Sequence, residues 1–357
     1  MLLLGSSDAA RTASATFRGA NGNIVFSGLV SGNYDIFSMN ADGSGVKDLT
    51  RNSAGEYQPA GSPDGTKIAF SRYVDDDAEI FVTNANGSGQ RNLTKNPAVD
   101  VYPTWSPDGT RIAFTRCTET DCDLFVMNAD GSDQRDLVGG PGFAIAAAWS
   151  PDGTKITFDT NCCGAGIDGE ILVVGADGSG QTDLTNSHST NDFDPDWSPD
   201  GTRIAFSRCT SLDCEIEVMN ADGSGQTDLT RDPTTGDLES HWSPDGKALV
   251  FSRCTSLGCR IAVMKADGSG QRTVPNGVPN SLEPVWLARP PQPACRVPKV
   301  VGARLATAKQ RIRKAGCTVG RVRTKRSPRP GIVVAQSPRP GTRLPHGGRV
   351  DLVVGRR

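Results

Sequence analysis

Val101-Tyr102-Pro103-Thr104-Trp105-Ser106-Pro107-Asp108-Gly109-Thr110-Arg111-Ile112-Ala113-Phe114 is the stretch that decides the fold. A short run ending in an aromatic meets a tight turn, and an apolar β-rich run follows. Proline presets φ inside the turn and glycine accepts the unusual dihedral at its end. Ser-Pro-Asp-Gly stands at Ser62–Gly65, Ser106–Gly109, Ser150–Gly153, Ser198–Gly201 and Ser243–Gly246, at intervals of 44, 44, 48 and 45 residues. A constant period of this size over most of a chain marks an array of one supersecondary unit. It also shifts the default function from catalysis towards binding.

Each unit continues with a third run, such as Leu124-Phe125-Val126-Met127, ended by Asn128-Ala129-Asp130-Gly131, and a last short run holding Asp136-Leu137. Four short strands separated by turns every 8–12 residues or so are the pattern of a propeller blade. The Asn-Ala-Asp-Gly-type turn occurs six times, with glycines Gly43, Gly87, Gly131, Gly178, Gly223 and Gly268. Calcium loops share an Asp-x-Asp-Gly fragment, but the EF-hand glutamate spacing is missing and these read as hairpin turns. The Ile-Ala-Phe-type strand also occurs six times, from Ile24–Phe26 to Ala248–Phe251. The aromatic that ends the first strand is Trp105, Trp149, Trp197, Trp242 or Trp286, with Gly61 in the remaining unit. The array therefore opens in a second strand, Asn23–Ser27, and finishes with a first strand, Leu282–Trp286. The expectation is an all-β, six-bladed propeller of four-stranded blades, closed by its C-terminal strand so that no edge is left. An open β-solenoid is the alternative.

The run Trp-Ser-Pro-Asp-Gly-x-x-Ile-Ala-Phe, followed by Met-Asn-Ala-Asp-Gly-Ser-Gly and Leu-Thr, resembles the TolB-type, WD-repeat-like β-propeller over residues 20–287. The resemblance implies the fold far more than the function. Propellers of this kind serve as peptide docks, glycan binders and appendages of peptidases and lyases.

The formal net charge of −2 hides an asymmetry. Residues 1–288 carry 20 Lys/Arg against 39 Asp/Glu, and residues 289–357 carry 18 Lys/Arg against Asp351 alone. An acidic body and a basic module point to separate partners. No apolar run reaches the roughly 18 residues of a membrane span. Residues 1–19 read as a truncated leader or as no signal at all. Met1-Leu2-Leu3-Leu4 is too short for an apolar h-region and lacks a basic flank, although Ala13-Ser14-Ala15 resembles a cleavage site.

Cysteine is placed, not scattered. Cys117 and Cys122, Cys209 and Cys214, and Cys254 and Cys259 each join the end of a second strand to the start of a third. A hairpin of that length sets the two Cβ atoms opposite each other, within disulfide reach. Zinc is the rival, but two thiolates per blade make a poor site. Cys162 and Cys163 are adjacent, as a vicinal disulfide or free thiols. Cys295 and Cys317 pair with each other in the tail. Such placement favours an oxidising compartment outside the cytoplasm.

Residues 288–294 are Pro-rich and read as a stiff spacer. In 295–357, Leu305, Ala308, Ile312 and Ala315 form a narrow helical stripe, and Gly316 suits the helix C-cap. Strands are expected at Val319–Arg323, Ile332–Gln336 and Arg349–Val354. Val297-Pro298, Val300-Val301-Gly302, Ala315-Gly316, Gln336-Ser337-Pro338, Pro340-Gly341, Leu344-Pro345 and Val350–Val354 resemble a single PASTA domain, a small α+β module. That resemblance implies an attachment to peptidoglycan. The arginine surplus at Arg311, Arg313, Lys314, Arg321, Arg323, Lys325 and Arg326 favours an anionic wall polymer. Nucleic acid is disfavoured, because the tail has no aromatic residue on which bases stack.

No catalytic constellation emerges. His188, His241 and His346 are the only histidines, and none lies in a His-x3-His or Gly-x-Ser-x-Gly setting. The acidic set is more informative. Glu56, Asp100, Asp192 and Asp237 stand five residues before the blade aromatic or its equivalent, and Asp194, Glu239 and Glu283 follow two positions later in their blades. Period two places Asp192, Asp194 and Asp196 on one face of an inner strand. Clustered carboxylates repel one another without a cation. Two readings follow: Ca²⁺ held by oxygen ligands in the propeller channel, or carboxylates bonded to turn amides.

Taken as a sequence, the chain reads as an exported bacterial binding or scaffold protein without a cofactor. The propeller docks a protein or glycan and the tail associates with peptidoglycan or anionic glycan, outside the cell or on its wall, as a monomer. The alternatives are an enzyme acting on wall glycan or peptide at a propeller face, and a TolB-like component of an envelope translocation complex.

Overall fold

The computed structural model describes residues 17–357 except 75–76, 120, 140–142, 161–168, 188, 211–212, 291–293 and 345. The readings of Met1–Leu4, Ala13–Ala15, Cys162, Cys163, His188, Pro291, Pro293 and Pro345 lie outside the described residues. The chain divides into two compact units, one ending at Pro290 and one beginning at Pro291.

The first unit is six four-stranded sheets. The third blade shows the plan: Val99–Trp105, Arg111–Cys117, Cys122–Asn128 and Arg135–Val138 pair as an antiparallel meander. The first strands of neighbouring sheets meet around the circuit, so they form the inner wall. Closure comes from Leu282–Ala288, which pairs antiparallel with Asn21–Val30 and sets Trp286 opposite Ile24. The closing strand therefore runs two residues past Trp286, and Arg289 N still donates to Ala20 O at 2.7 Å. Ala288, expected from the sequence to open a stiff spacer, is the last residue of this strand.

Burial follows the repeat. Phe26, Phe70, Phe114, Phe158, Phe206 and Phe251 are fully buried between sheets. Burying one such ring stabilises by about 1.5–3 kcal/mol. Each Asn-Ala-Asp-Gly-type turn presses on the preceding blade. At Gly87 (φ 87°) a Cβ would sit 2.3 Å from Leu49 O, whereas at Gly32 (φ 95°) it would meet nothing within 4 Å. Gly32→Ala is therefore expected to cost only the left-handed penalty of about 1–2 kcal/mol. Gly87→Ala adds overpacking of about 1–3 kcal/mol. Urea melts of the two variants measure the difference, and equal losses would mean the turn does not bear on the next blade.

The disulfides expected at the hairpins are present: Cys117–Cys122, Cys209–Cys214 and Cys254–Cys259 join directly paired residues. Cys295–Cys317 closes the tail. In the second unit, helix Leu305–Lys314 buries Ala308 and Ile312. It packs on strand Thr318–Arg326, the edge of a three-stranded sheet with Arg349–Arg356 in the centre and Val333–Ser337 beyond. A two-stranded pair, Cys295–Arg296 with Arg343–Leu344, was not expected from the sequence. Among the described residues no helix is long and apolar enough to cross a membrane.

Candidate functional site

The seven acidic residues singled out in the sequence divide into two structural sets. Glu56, Asp100, Asp192 and Asp237 are each fully buried. Each lies opposite an arginine of its own blade: Arg72, Arg116, Arg208 and Arg253. Arg116 Nε donates to Asp100 Oδ1 at 2.7 Å and Arg116 Nη2 to Oδ2 at 2.8 Å. Arg208 grips Asp192 at 2.7 Å through both nitrogens, and Arg253 grips Asp237 at 2.8 and 2.6 Å. Arg72 donates from Nε to Glu56 at 2.7 Å.

The chain of contacts then leaves the blade. Arg116 Nη2 donates to Gln134 Oε1 at 2.7 Å, and Gln134 Nε2 donates to Leu93 O of the preceding blade at 3.3 Å. Arg253 and Gln271 repeat the arrangement onto Leu229 O, and Arg72 and Gln90 onto Thr50 O. In the fifth blade Arg208 Nη1 takes Glu217 instead, at 2.9 Å. The arginines also lie over phenylalanine rings: Arg116 sits 4.6 Å from the Phe125 centroid. Glu56, Asp100 and Asp237 therefore anchor inter-blade clamps, Asp192 is held within its own blade, and each of the four faces an arginine's positive charge.

The second set has a different origin. Six residues at equivalent places in the six inner strands have left-handed backbone: Gln58, Tyr102, Ala146, Asp194, Glu239 and Glu283, with φ between 50° and 57°. Each coincides with a register shift against the second strand. This is a β-bulge, which bends the strand and re-aims the side chain. It breaks the period of two, so Asp192, Asp194 and Asp196 do not share one face as the sequence suggested. Asp192 turns to Arg208, and Asp196 Oδ2 accepts from Trp242 N of the next blade at 2.7 Å.

A bulge frees a backbone N–H that must find an acceptor. Here the preceding blade supplies it. Asp194 N donates to Asp159 Oδ2 at 3.2 Å, and Glu239 N to Ser207 Oγ at 3.0 Å. Glu283 N donates to Glu239 Oε2 at 2.7 Å, and Gln58 N to Glu283 Oε2 at 2.6 Å. Ser252 Oγ and Ser27 Oγ donate to the same two carboxylate oxygens. The acids thus stitch blades four, five, six, one and two around the axis. Glu239 Oε1, Glu283 Oε1 and Gln58 Oε1 are buried without a hydrogen bond. Burial pushes both glutamate carboxyls upward, and the neighbouring charge of Glu239 raises Glu283 further. Among the described residues no three Asp, Glu, His or Cys side chains are gathered to hold a metal. His241 is packed between blades, its Nδ1 accepting from Trp286 N at 3.3 Å.

The face that carries the hairpins between second and third strands has its own character. Val30, Val74 and Leu257 stand at those hairpins in three adjacent blades, 37, 54 and 90 % exposed. Tyr34, Tyr57 and Tyr73 form a half-buried cluster in the first two of these blades' sheets, with centroids 5.0 and 5.4 Å apart, the first pair tilted and the second edge-on. Burial and the nearby Glu283 push the Tyr57 hydroxyl up to about 12.

In the tail, Arg311, Arg313 and Lys314 occupy the last turn of the helix, where positive charge complements the helix dipole. Arg321, Arg323, Lys325 and Arg326 lie on the exposed edge strand. Register divides them: Val322 and Thr324 align with the buried Leu352 and Val354, whereas Arg323 and Lys325 align with Val353 and Gly355 on the opposite face. Arg326 alternates onto the Thr324 side, and Arg321 sits in a bulge with its N–H on Asp351 Oδ1 at 2.6 Å. The single patch read from the sequence is spread over two faces.

Comparison with known proteins follows the same division. A family described as the TolB beta propeller domain matches residues 24–289, and the PASTA domain matches residues 296–356. No curated protein matches the chain in sequence. Among solved structures, TolB of Acinetobacter baumannii is 20% identical over 75% of this chain and 67% of its own, with a TM-score of 0.66. A chain of a nidogen/laminin complex is 11% identical over 74% and 98%, with a TM-score of 0.62. An oligogalacturonate lyase of Vibrio parahaemolyticus is 13% identical over 74% and 78%, with a TM-score of 0.53. At these identities the likeness carries the fold alone.

Proposed function

We infer that this chain, which belongs to the TolB β-propeller family over residues 24–289 and ends in a PASTA domain over residues 296–356, is an envelope-associated binding protein without catalytic activity. One observation carries the reading: the clustered channel carboxylates are engaged in contacts within and between blades, while the exposed chemistry lies elsewhere. Four disulfides suit a compartment outside the cytoplasm. The propeller docks a protein or glycan on the face bearing Val30, Val74, Leu257 and the tyrosine cluster. An apolar, aromatic surface on a rigid ring is chemistry for binding. The PASTA domain associates with peptidoglycan or an anionic wall polymer through Arg321, Arg323 and Lys325.

Charge neutralisation makes that association salt-dependent. Full-length protein with Arg321→Ala, Arg323→Ala and Lys325→Ala is expected to lose most of its co-sedimentation with purified wall sacculi at about 0.15 M salt. Undiminished sedimentation would remove the basic strand from the interface. A hard cation at the axis belongs to the same reading as an alternative occupant of the three unbonded oxygens of Glu239, Glu283 and Gln58. Calcium titration without heat, together with a melting temperature unmoved by EDTA, would dispose of it.

The lyase neighbour supports one rival, an enzyme acting on wall glycan at a propeller face. Turnover of wall polysaccharide or muropeptides by the purified protein is the measurement that would favour it.

A further inference from the structure

Five of the six Asn-Ala-Asp-Gly-type turns carry aspartate before the glycine: Asp42, Asp130, Asp177, Asp222 and Asp267. The second blade carries Asn86. The chain holds three Asn-Gly pairs, Asn21-Gly22, Asn86-Gly87 and Asn276-Gly277. Glycine after asparagine leaves a backbone nitrogen unhindered beside a side-chain amide, and the surroundings decide whether the two react. Asn21 lies in a paired strand, where a Cβ on Gly22 would come 2.8 Å from Leu287 O. Asn276 is 9 % exposed, and its amide nitrogen donates to Ser281 Oγ at 3.0 Å. Asn86 alone of the three is exposed, and among the described residues no acceptor holds its Nδ2.

Two neighbours of Asn86 favour reaction. Ser88 donates to Asn86 Oδ1 from its N at 3.0 Å and from its Oγ at 2.7 Å. These donors draw electrons from Cγ and sit where an oxyanion forms when a nucleophile adds there. Lys47 reaches across from the first blade and donates from Nζ to Asn86 O at 2.8 Å. That oxygen belongs to the same peptide group as Gly87 N, so the ammonium makes the Gly87 N–H more acidic. Gly87 N also donates to Asn84 O at 2.8 Å, a bond that closes the turn and opens before attack. Exposed backbone bonds of this kind open readily.

We propose that Asn86 is a self-deamidation site whose product in the folded chain is aspartate. Gly87 N gives its proton to water and bonds to Asn86 Cγ. The Cγ–Nδ2 bond breaks, and Nδ2 takes a proton from water and leaves as ammonia. Water then adds to Cγ of the cyclic imide and the bond from Cγ to Gly87 N breaks, leaving a carboxyl group on an unaltered main chain. The net reaction consumes water and releases ammonia. Water adding to the other imide carbonyl would instead insert the side-chain methylene into the main chain as isoaspartate. Gly87 leaves no room for that shift, since a Cβ there would sit 2.3 Å from Leu49 O. Aspartate fits, because Asp42, Asp130, Asp177 and Asp222 each accept both donors of the serine two residues on. Those serine hydroxyls, with the serine N–H groups, hold the four carboxyls below their ordinary value.

The test incubates the folded full-length chain in mildly alkaline buffer and follows each Asn-Gly pair by peptide mass spectrometry, with fragmentation that tells aspartate from isoaspartate. Residue 86 is expected to convert about tenfold faster than Asn21 or Asn276, and to aspartate. Lys47→Met and Ser88→Ala are each expected to slow it by about threefold, the weight of one hydrogen bond. Both side chains are exposed, so the variants should melt like the wild type. Equal rates at the three asparagines, isoaspartate as the main product, or a rate unchanged in both variants would overturn the proposal. So would a folded chain that keeps Asn86 intact while the same chain unfolded in urea loses it. None of these outcomes bears on docking or on wall association.

Discussion

Arg116→Met is expected to lose on the order of 3–5 kcal/mol of stability, because it strands a buried carboxylate. Asp100 has no solvent exposure, and Arg116 supplies two of its hydrogen bonds. Methionine keeps much of the arginine stem's packing but returns no charge. The loss also frees Gln134, whose contact with Leu93 O joins the third blade to the second. The diagnostic comparison is the double variant Asp100→Leu/Arg116→Met, which removes both charges. Replacing a buried pair by apolar groups is often neutral, so the double variant should recover most of the loss in urea denaturation. A single variant within about 0.5 kcal/mol of wild type, the range of ordinary surface changes, would show that the clamp does not carry the blade junction.

The second large effect is a stability that falls as pH rises. Glu239 and Glu283 are fully buried, their carboxyls raised above the ordinary 4.5, chiefly by burial. The native state therefore holds protons that the unfolded chain has already released above that value. Stability from these groups is fully present at the acid end and is lost as pH climbs through their raised values, on the order of 1.4 kcal/mol per pH unit per group. The melting temperature is expected to fall by several degrees between about pH 5.5 and about pH 8.5. Glu283→Gln keeps an oxygen for Ser27 and Gln58 N but cannot ionise, so it should flatten the profile and raise the melting temperature at the alkaline end. The turn aspartates act in the opposite sense but elsewhere on the scale. Hydrogen bonds from Ser106 and Ser150 lower Asp108 and Asp152, so their contribution disappears only on stronger acidification. An alkaline melting temperature unchanged by Glu283→Gln would mean the axial pair is not proton-linked.

The blade number was legible because turn chemistry is local. Ser-Pro-Asp-Gly and Asn-Ala-Asp-Gly declare their conformations within four residues, and counting them anticipates closure by the strand holding Trp286. The tail helix was equally plain in the spacing of Leu305, Ala308 and Ile312. The use of the carboxylates was not. Their clustering is a sequence fact, but their partners are set by register across a blade. A signal did exist: Arg72, Arg116, Arg208 and Arg253 each follow their acid by 16 residues. The bulges at Asp194, Glu239 and Glu283 leave no such trace. They arise where six strands converge on an axis, a tertiary demand that occupies non-glycine residues with left-handed backbone.

The central claim is a division of labour: the tail holds the wall and the propeller receives a partner. Retention on purified sacculi, compared between the full chain and a chain ending at Pro290, tests it most directly. The account predicts that the full chain is retained and the shortened one, which keeps all six sheets, washes away. Equal retention of both would contradict it.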